Sequence, residues 1–131
     1  MKKIQSHLTG QIISSNTSEA KFLNKKSNFG ESVGEKINYS LTETLFLVEK
    51  RRMEIYSKNK KISTRELLNK FRRIDKRIQI KYPVFRNLRE KGYIVKTALK
   101  FGADFRVYEK AAKPGKKHAN GLYLSTTNPA N

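Results

Sequence analysis

Ser40 and Glu43 head the segment "SLTETLFLVEKRRM", and Ser63 and Glu66 repeat their spacing at the head of "STRELLNKFRRIDKRIQI". A serine that caps a helix, with glutamate at the third helical position, lets each side chain satisfy the other's backbone N–H. Both segments continue with helical periodicity. Leu41, Leu45 and Val48 fall at i, i+4, i+7, and Leu47 broadens that face. Leu67, Phe71, Ile74 and Ile78 fall at i, i+4, i+7, i+11 of a second helix that runs on to Ile80. Lys70, Arg72, Arg73, Lys76 and Arg77 fill the rest of its surface. The ordinary reading of such a run is a solvated face; the sharper one is direct contact with RNA.

Shorter elements surround these helices. Residues 1 to about 38 read as short strands and loops, with Ile4, Leu8, Ile12 and Ile13 as apolar markers and Gly10, Gly30 and Gly34 as punctuation. "MEIYS" reads as a strand from Met53 to Tyr56, followed by a polar turn, Ser57 to Lys61. Pro83 reads as the start of a third helix, "PVFRNLREK", which Gly92 ends. "YIVKTALKF" and "ADFRVY" are strand-like, with Gly102 between them. Alternation puts Phe105 and Val107 on one face and Asp104, Arg106 and Tyr108 on the other. Tyr108 is therefore expected among charged groups rather than in the core. Glu109 to Gly121 form a loop of a length usually functional or disordered, and Leu122 to Ser125 a short apolar return. A boundary near residues 80–83 divides an α/β piece, 1–80, from a helix-plus-strands piece, 83–131.

Charge decides the class of partner. The chain carries 29 Lys+Arg against 11 Asp+Glu, a formal net charge of +18. Such an excess attracts polyanions, and nucleic acid is the first expectation because basic side chains release its condensed counterions. A membrane surface is the rival, but no run of about 18 apolar residues is present. No hydrophobic run follows Met1-Lys2-Lys3-Ile4, so no signal peptide is expected, and the absence of cysteine fits a cytoplasmic protein. With His7 and His118 as the only histidines, no His/Cys ligand set is available. A magnesium site built from carboxylates is not excluded by residue type, but no clustered acidic motif suggests one. No cofactor or metal is expected.

Tyr108 and His118 are the candidate catalytic pair, ten residues apart. RNA can be cut by using the neighbouring 2′-hydroxyl as nucleophile, which needs a base for its proton and an acid for the departing 5′-oxygen. A cation must also stabilise charge at phosphorus. Histidine suits the acid near neutral pH. Tyrosine suits the base only beside positive charge, which Arg106 and the lysine-rich loop would supply. On spacing alone the ordinary reading stands: a tyrosine at a strand end packs its ring, and a histidine in a Lys/Gly/Pro loop is solvated.

The order of segments carries more than the pair. "SLTETLFLVEKRRMEIY" at 40–56, "VFRNLREKGYIVKTALKFGADFRVYEK" at 84–110 and "KKH" at 116–118 resemble the archaeal tRNA-splicing endonucleases. Phe29 and Gly30 of "SNFGESVG" resemble that family's N-terminal domain, and the likeness covers most of residues 8 to 118. The resemblance implies an α/β fold of the α+β type, with a small N-terminal α/β domain before a shortened C-terminal α/β nuclease domain. It implies metal-independent cleavage of precursor tRNA at a bulge–helix–bulge, giving a 2′,3′-cyclic phosphate and a 5′-hydroxyl. Tyr108 matches the family's general base and His118 its general acid. Arg106, Lys116 and Lys117 are the expected RNA-binding side chains, and a homo- or hetero-oligomer of endonuclease subunits is the expected assembly.

The sequence departs from the family after the histidine. The family continues with a strand, a helix and more strands that carry a catalytic lysine, arginines that clamp a bulge nucleotide, and an acidic loop that docks into a partner subunit. "ANGLYLSTTNPAN" begins like that strand, and nothing in it matches the lysine. Removing one such charge-stabilising group typically costs about 10²–10³ in rate; substitution by Lys116 or Lys117 is the weaker expectation. The alternative reading is a catalytically incomplete structural or RNA-binding subunit, a degenerate member of the same family. A generic basic RNA-binding protein is the third, and the specific motif argues against it.

Overall fold

The computed structural model describes residues 2–109 and 121–126. The chain divides into two compact units between Ile78 and Gln79. Each mixes helices with a sheet that is wholly or mostly antiparallel, so the fold is α+β.

The first unit holds β1 (Ile4–Thr9), β2 (Ile12–Ser15), α1 (Ser18–Ser27), β3 (Glu31–Val33), β4 (Lys36–Tyr39), α2 (Leu41–Glu49), β5 (Met53–Ser57), β6 (Lys60–Lys61) and α3 (Thr64–Ile74). Its six strands are ordered β3-β4-β2-β1-β5-β6. Every pairing is antiparallel except β1 with β5, which run parallel from Ile4↔Met53 to His7↔Tyr56. Gly10, at φ 62°, supplies the left-handed residue between β1 and β2. Strand alternation buries Ile4, Ser6 and Leu8 on one face, and Ile13, Leu47, Ile55, Leu67 and Phe71 complete the core.

The Ser40 capping box forms as its sequence predicts. The Ser40 hydroxyl oxygen accepts from the Glu43 N–H, and Glu43 Oε1 accepts from the Ser40 N–H at 3.0 Å. Glu43 does more than cap, because its Oε2 accepts the Gly30 N–H at 2.7 Å inside the core. Gly30 sits at φ 83°, and a Cβ there would meet the Ile37 side chain at 2.3 Å. Phe29 stacks on Phe46 of α2 at 5.6 Å. The "FG" pair is thus the seat on which α2 is fixed. The expected single apolar face is too narrow for this helix. Thr42 to Leu47 are all buried, whereas Leu41 and Val48 are half-buried.

Three readings of the sequence are corrected. Residues 18–27 form a helix rather than strand and loop. Thr17 caps it by accepting the Ala20 N–H, without the glutamate that marks the other two caps. The basic helix does not continue to Ile80. It stops at Ile74, where Asp75 adopts an extended backbone and its side chain accepts the Arg77 N–H at 2.9 Å. A short carboxylate that bonds the chain two residues on competes with helix continuation. Pro83 then lies inside a later helix, α4 (Ile78–Glu90), rather than at its start. Its missing N–H removes one internal bond, and the helix continues on either side of it.

The second unit packs α4 against a three-stranded antiparallel sheet, ordered β7 (Ile94–Thr97), β8 (Phe105–Tyr108), β9 (Leu122–Leu124). A single 3₁₀ turn, Leu99–Phe101, links β7 towards β8, and Gly102 ends it at φ 74°. The Phe85 ring of α4 meets Phe105 of β8 at 5.8 Å, and both are 1% exposed. Burying a side chain of that size contributes about 1.5–3 kcal/mol. A polar tie fixes the same layer. Asp104 Oδ2 accepts from the Thr126 N–H at 2.7 Å and from its hydroxyl at 2.6 Å, while Lys81 Nζ of α4 lies 3.7 Å from Oδ1.

Candidate active site

The register of the second sheet sets which side chains meet. Ile94 lies opposite Tyr108, Lys96 opposite Arg106, and Arg106 opposite Tyr123 of β9. Arg106, Tyr108 and Tyr123 therefore share the face turned away from Phe105 and Val95. The expected face is correct for Tyr108, but its surroundings are not. Tyr108 is only 7% exposed, and its neighbour across the ladder, Ile94, is buried too.

Arg106 is held between two rings. Its Cζ lies 5.4 Å from the centroid of Tyr108 and 4.9 Å from that of Tyr123. Arginine suits this position because its planar cation stacks on aromatic faces. The Arg106 Nε is buried with no hydrogen-bond partner among the described residues. Gly121 closes the stack from the side: a Cβ there would stand 2.6 Å from Arg106 Cγ, 2.8 Å from its Nε and 3.1 Å from Tyr108 Cε1. Phe101 of the 3₁₀ turn touches the outer side, with its ring 5.4 Å from Tyr123. The order is Tyr108, Arg106, Tyr123, Phe101, running from buried to exposed.

Of the residues singled out in the sequence, Tyr108 and Arg106 are thus brought into contact. His118, Lys116 and Lys117 lie outside the described residues. Tyr123, Phe101 and Gly121 were not singled out. Tyr123 carries no signal of its own in the sequence, because its place opposite Arg106 comes from the antiparallel pairing of "LYL" with "FRVY". On α3, Arg65, Lys70, Arg72 and Arg73 are exposed, and Leu67 and Phe71 alone form its buried side. Among the described residues, no three His, Cys, Asp or Glu side chains gather where they could hold a metal ion, and no helix is long and apolar enough to cross a membrane.

Two family models match the chain. One describes the tRNA intron endonuclease N-terminal domain and covers residues 4–68; the other describes the tRNA intron endonuclease catalytic C-terminal domain and covers residues 78–124. A tRNA-splicing endonuclease of Pyrococcus abyssi is 38% identical over 115 residues, 86% of this chain and 68% of the relative. One of Methanothermobacter thermautotrophicus is 35% identical over 103 residues, 79% of this chain and 59% of the relative. One of Nanoarchaeum equitans reaches 46% over 76 residues, 58% of this chain and 49% of the relative. The chain spans about half to two-thirds of the length of these relatives.

Proposed function

The chain belongs to the tRNA intron endonuclease family, and from that premise we propose that it acts as a tRNA-splicing endonuclease subunit. Its substrate is precursor tRNA, cut at the bulge–helix–bulge that marks an intron junction. The observation that carries this reading is the contact of Arg106 with Tyr108 at the end of β8. It puts a permanent cation beside the residue matched to the family's general base.

The reaction is an internal transesterification. Tyr108 takes the proton of the 2′-hydroxyl, the 2′-oxygen attacks phosphorus, and the bond from phosphorus to the 5′-oxygen breaks. His118 gives its proton to that departing oxygen. The products are a 2′,3′-cyclic phosphate and a 5′-hydroxyl. The nucleophile comes from the RNA, so the chemistry calls for no metal-bound water. Arg106 stabilises charge at the phosphate, and Lys116 and Lys117 hold the RNA backbone. The formal charge of +18 supports a polyanionic substrate. The subunit works in the cytoplasm, in an oligomer with other endonuclease subunits.

The test is cleavage of an intron-containing precursor tRNA by Tyr108→Phe and His118→Ala. Each is expected to lower the rate by about 10²–10⁴-fold, the usual range for acid–base groups, without abolishing RNA binding. Full activity in either variant removes that residue from the mechanism.

A further inference from the structure

The outer end of the stack is out of proportion to a solvated surface. Phe101 is 66% exposed and Tyr123 48%, and their rings meet at 5.4 Å, so two large side chains stand together at the surface of the second unit; Leu99, 67% exposed, lies in the same 3₁₀ turn as Phe101. Scattered apolar residues are ordinary on a surface, but a contiguous group marks an interaction site. The two rings are not loose. Tyr123 is seated on the Arg106 guanidinium, and Phe101 leans on Tyr123 with its plane inclined by 47°. Lys100 sits exposed beside Phe101, so the apolar edge carries positive charge as well.

We propose that Phe101 and Tyr123 form a stacking platform for an unpaired nucleobase of the RNA, next to the scissile position at Tyr108. The proposal rests on the endonuclease reading above and extends it to residues that take no part in acid–base chemistry. Aromatic faces bind any nucleobase because each has a π surface, and a cationic groove beside them tracks the backbone. The aromatic faces are present here, with Phe101 and Tyr123 outermost, and the nearest cations are Arg106, between Tyr123 and Tyr108, and the exposed Lys100 next to Phe101 in the chain. An unpaired nucleotide fits, since a base inside a duplex keeps its faces covered by its neighbours. A charged, aromatic edge on a chain whose net charge is +18 suits a polyanion that also offers flat rings, which is nucleic acid.

The probe is a bulge–helix–bulge RNA with a 2′-O-methyl group at the cleavage site, so that it binds without being cut. A matched set carries one abasic nucleotide at each bulge position in turn. Native protein is expected to bind one abasic RNA about tenfold more weakly than the intact RNA. Phe101→Ala should lower affinity for intact RNA by a similar factor and bind the abasic RNA no more weakly than the native protein does. Tyr123→Phe, which keeps the ring, should bind like the native chain. Equal sensitivity to the abasic position in native protein and Phe101→Ala would overturn the platform while leaving the endonuclease reading intact. Failure of native protein to bind any RNA in the set would overturn both. A fall in sedimentation coefficient for Phe101→Ala without RNA would show that another copy covers these rings, and would also overturn the platform.

Discussion

The guanidinium carbon of Arg106 lies 5.4 Å from the centre of the Tyr108 ring, on a strand where the two residues are separated by one position. That relationship joins the described part of the candidate site. It also explains why a tyrosine read as lying among charges is nonetheless buried, because the neighbouring cation is itself sandwiched by a second ring.

Arg106→Ala removes the cation and one face of the stack. Cleavage under single-turnover conditions should fall by roughly 10²-fold, the scale for losing one preorganised charge-stabilising donor. Arg106→Lys should not restore it, because an ammonium does not reproduce a planar stacked fork. A native rate in either variant would place Arg106 outside the mechanism.

Gly121→Ala tests the stack by steric means. The added methyl would stand 2.6 Å from Arg106 Cγ, and the arginine has a ring on each side. The expected cost is about 1–3 kcal/mol, seen as a lower melting temperature. Cleavage should fall with it, since Arg106 is the group displaced. Unchanged melting and unchanged rate would show that the close approach is unimportant.

Asp104→Ala probes the tie between α4 and the sheet. The carboxylate accepts two bonds from Thr126 and lies 3.7 Å from Lys81, with both acid and lysine nearly buried. Removing it should destabilise the second unit by about 2–4 kcal/mol, measured by denaturant unfolding. A loss below about 0.5 kcal/mol, the size of an ordinary surface substitution, would mean that the cluster contributes little.

Glu54 gives the first unit an acid-sensitive element. A hydrogen bond from the Gln5 amide, then one from the Tyr56 hydroxyl, lower its pKa, and Lys61 adds to them; partial desolvation opposes the shift. A carboxylate whose pKa is lowered by folding stabilises the fold above its unfolded value, near 4.5, and loses that contribution as pH falls through the folded one. Melting temperature should therefore fall less steeply below about pH 4.5 in Glu54→Gln than in the native chain. Identical acid limbs for the two proteins would remove Glu54 from the account.

The legible parts of the fold were those with local rules. Ser40 with Glu43 and Ser63 with Glu66 marked two helix starts, because capping needs only neighbours in sequence. The alternation of "FRVY" put Arg106 and Tyr108 on one face. Helix α1 was hidden because Thr17 caps it without a glutamate and Ala20 and Leu23 alone are buried in it. The break at Asp75 was hidden because Ile74 and Ile78 keep helical spacing across it. Tyr123 was missed for a different reason: its role depends on pairing with β8, which no spacing within "LYL" reveals.

The most direct measurement is the chemistry of the cut ends. Native protein would be incubated with an intron-containing precursor tRNA in excess EDTA, and the fragments examined for terminal groups. The account predicts cleavage at the intron junctions, with 2′,3′-cyclic phosphate on the upstream fragment and 5′-hydroxyl on the downstream one. Fragments with 5′-phosphate and 3′-hydroxyl ends, cleavage that EDTA abolishes, or no cleavage at all would contradict it.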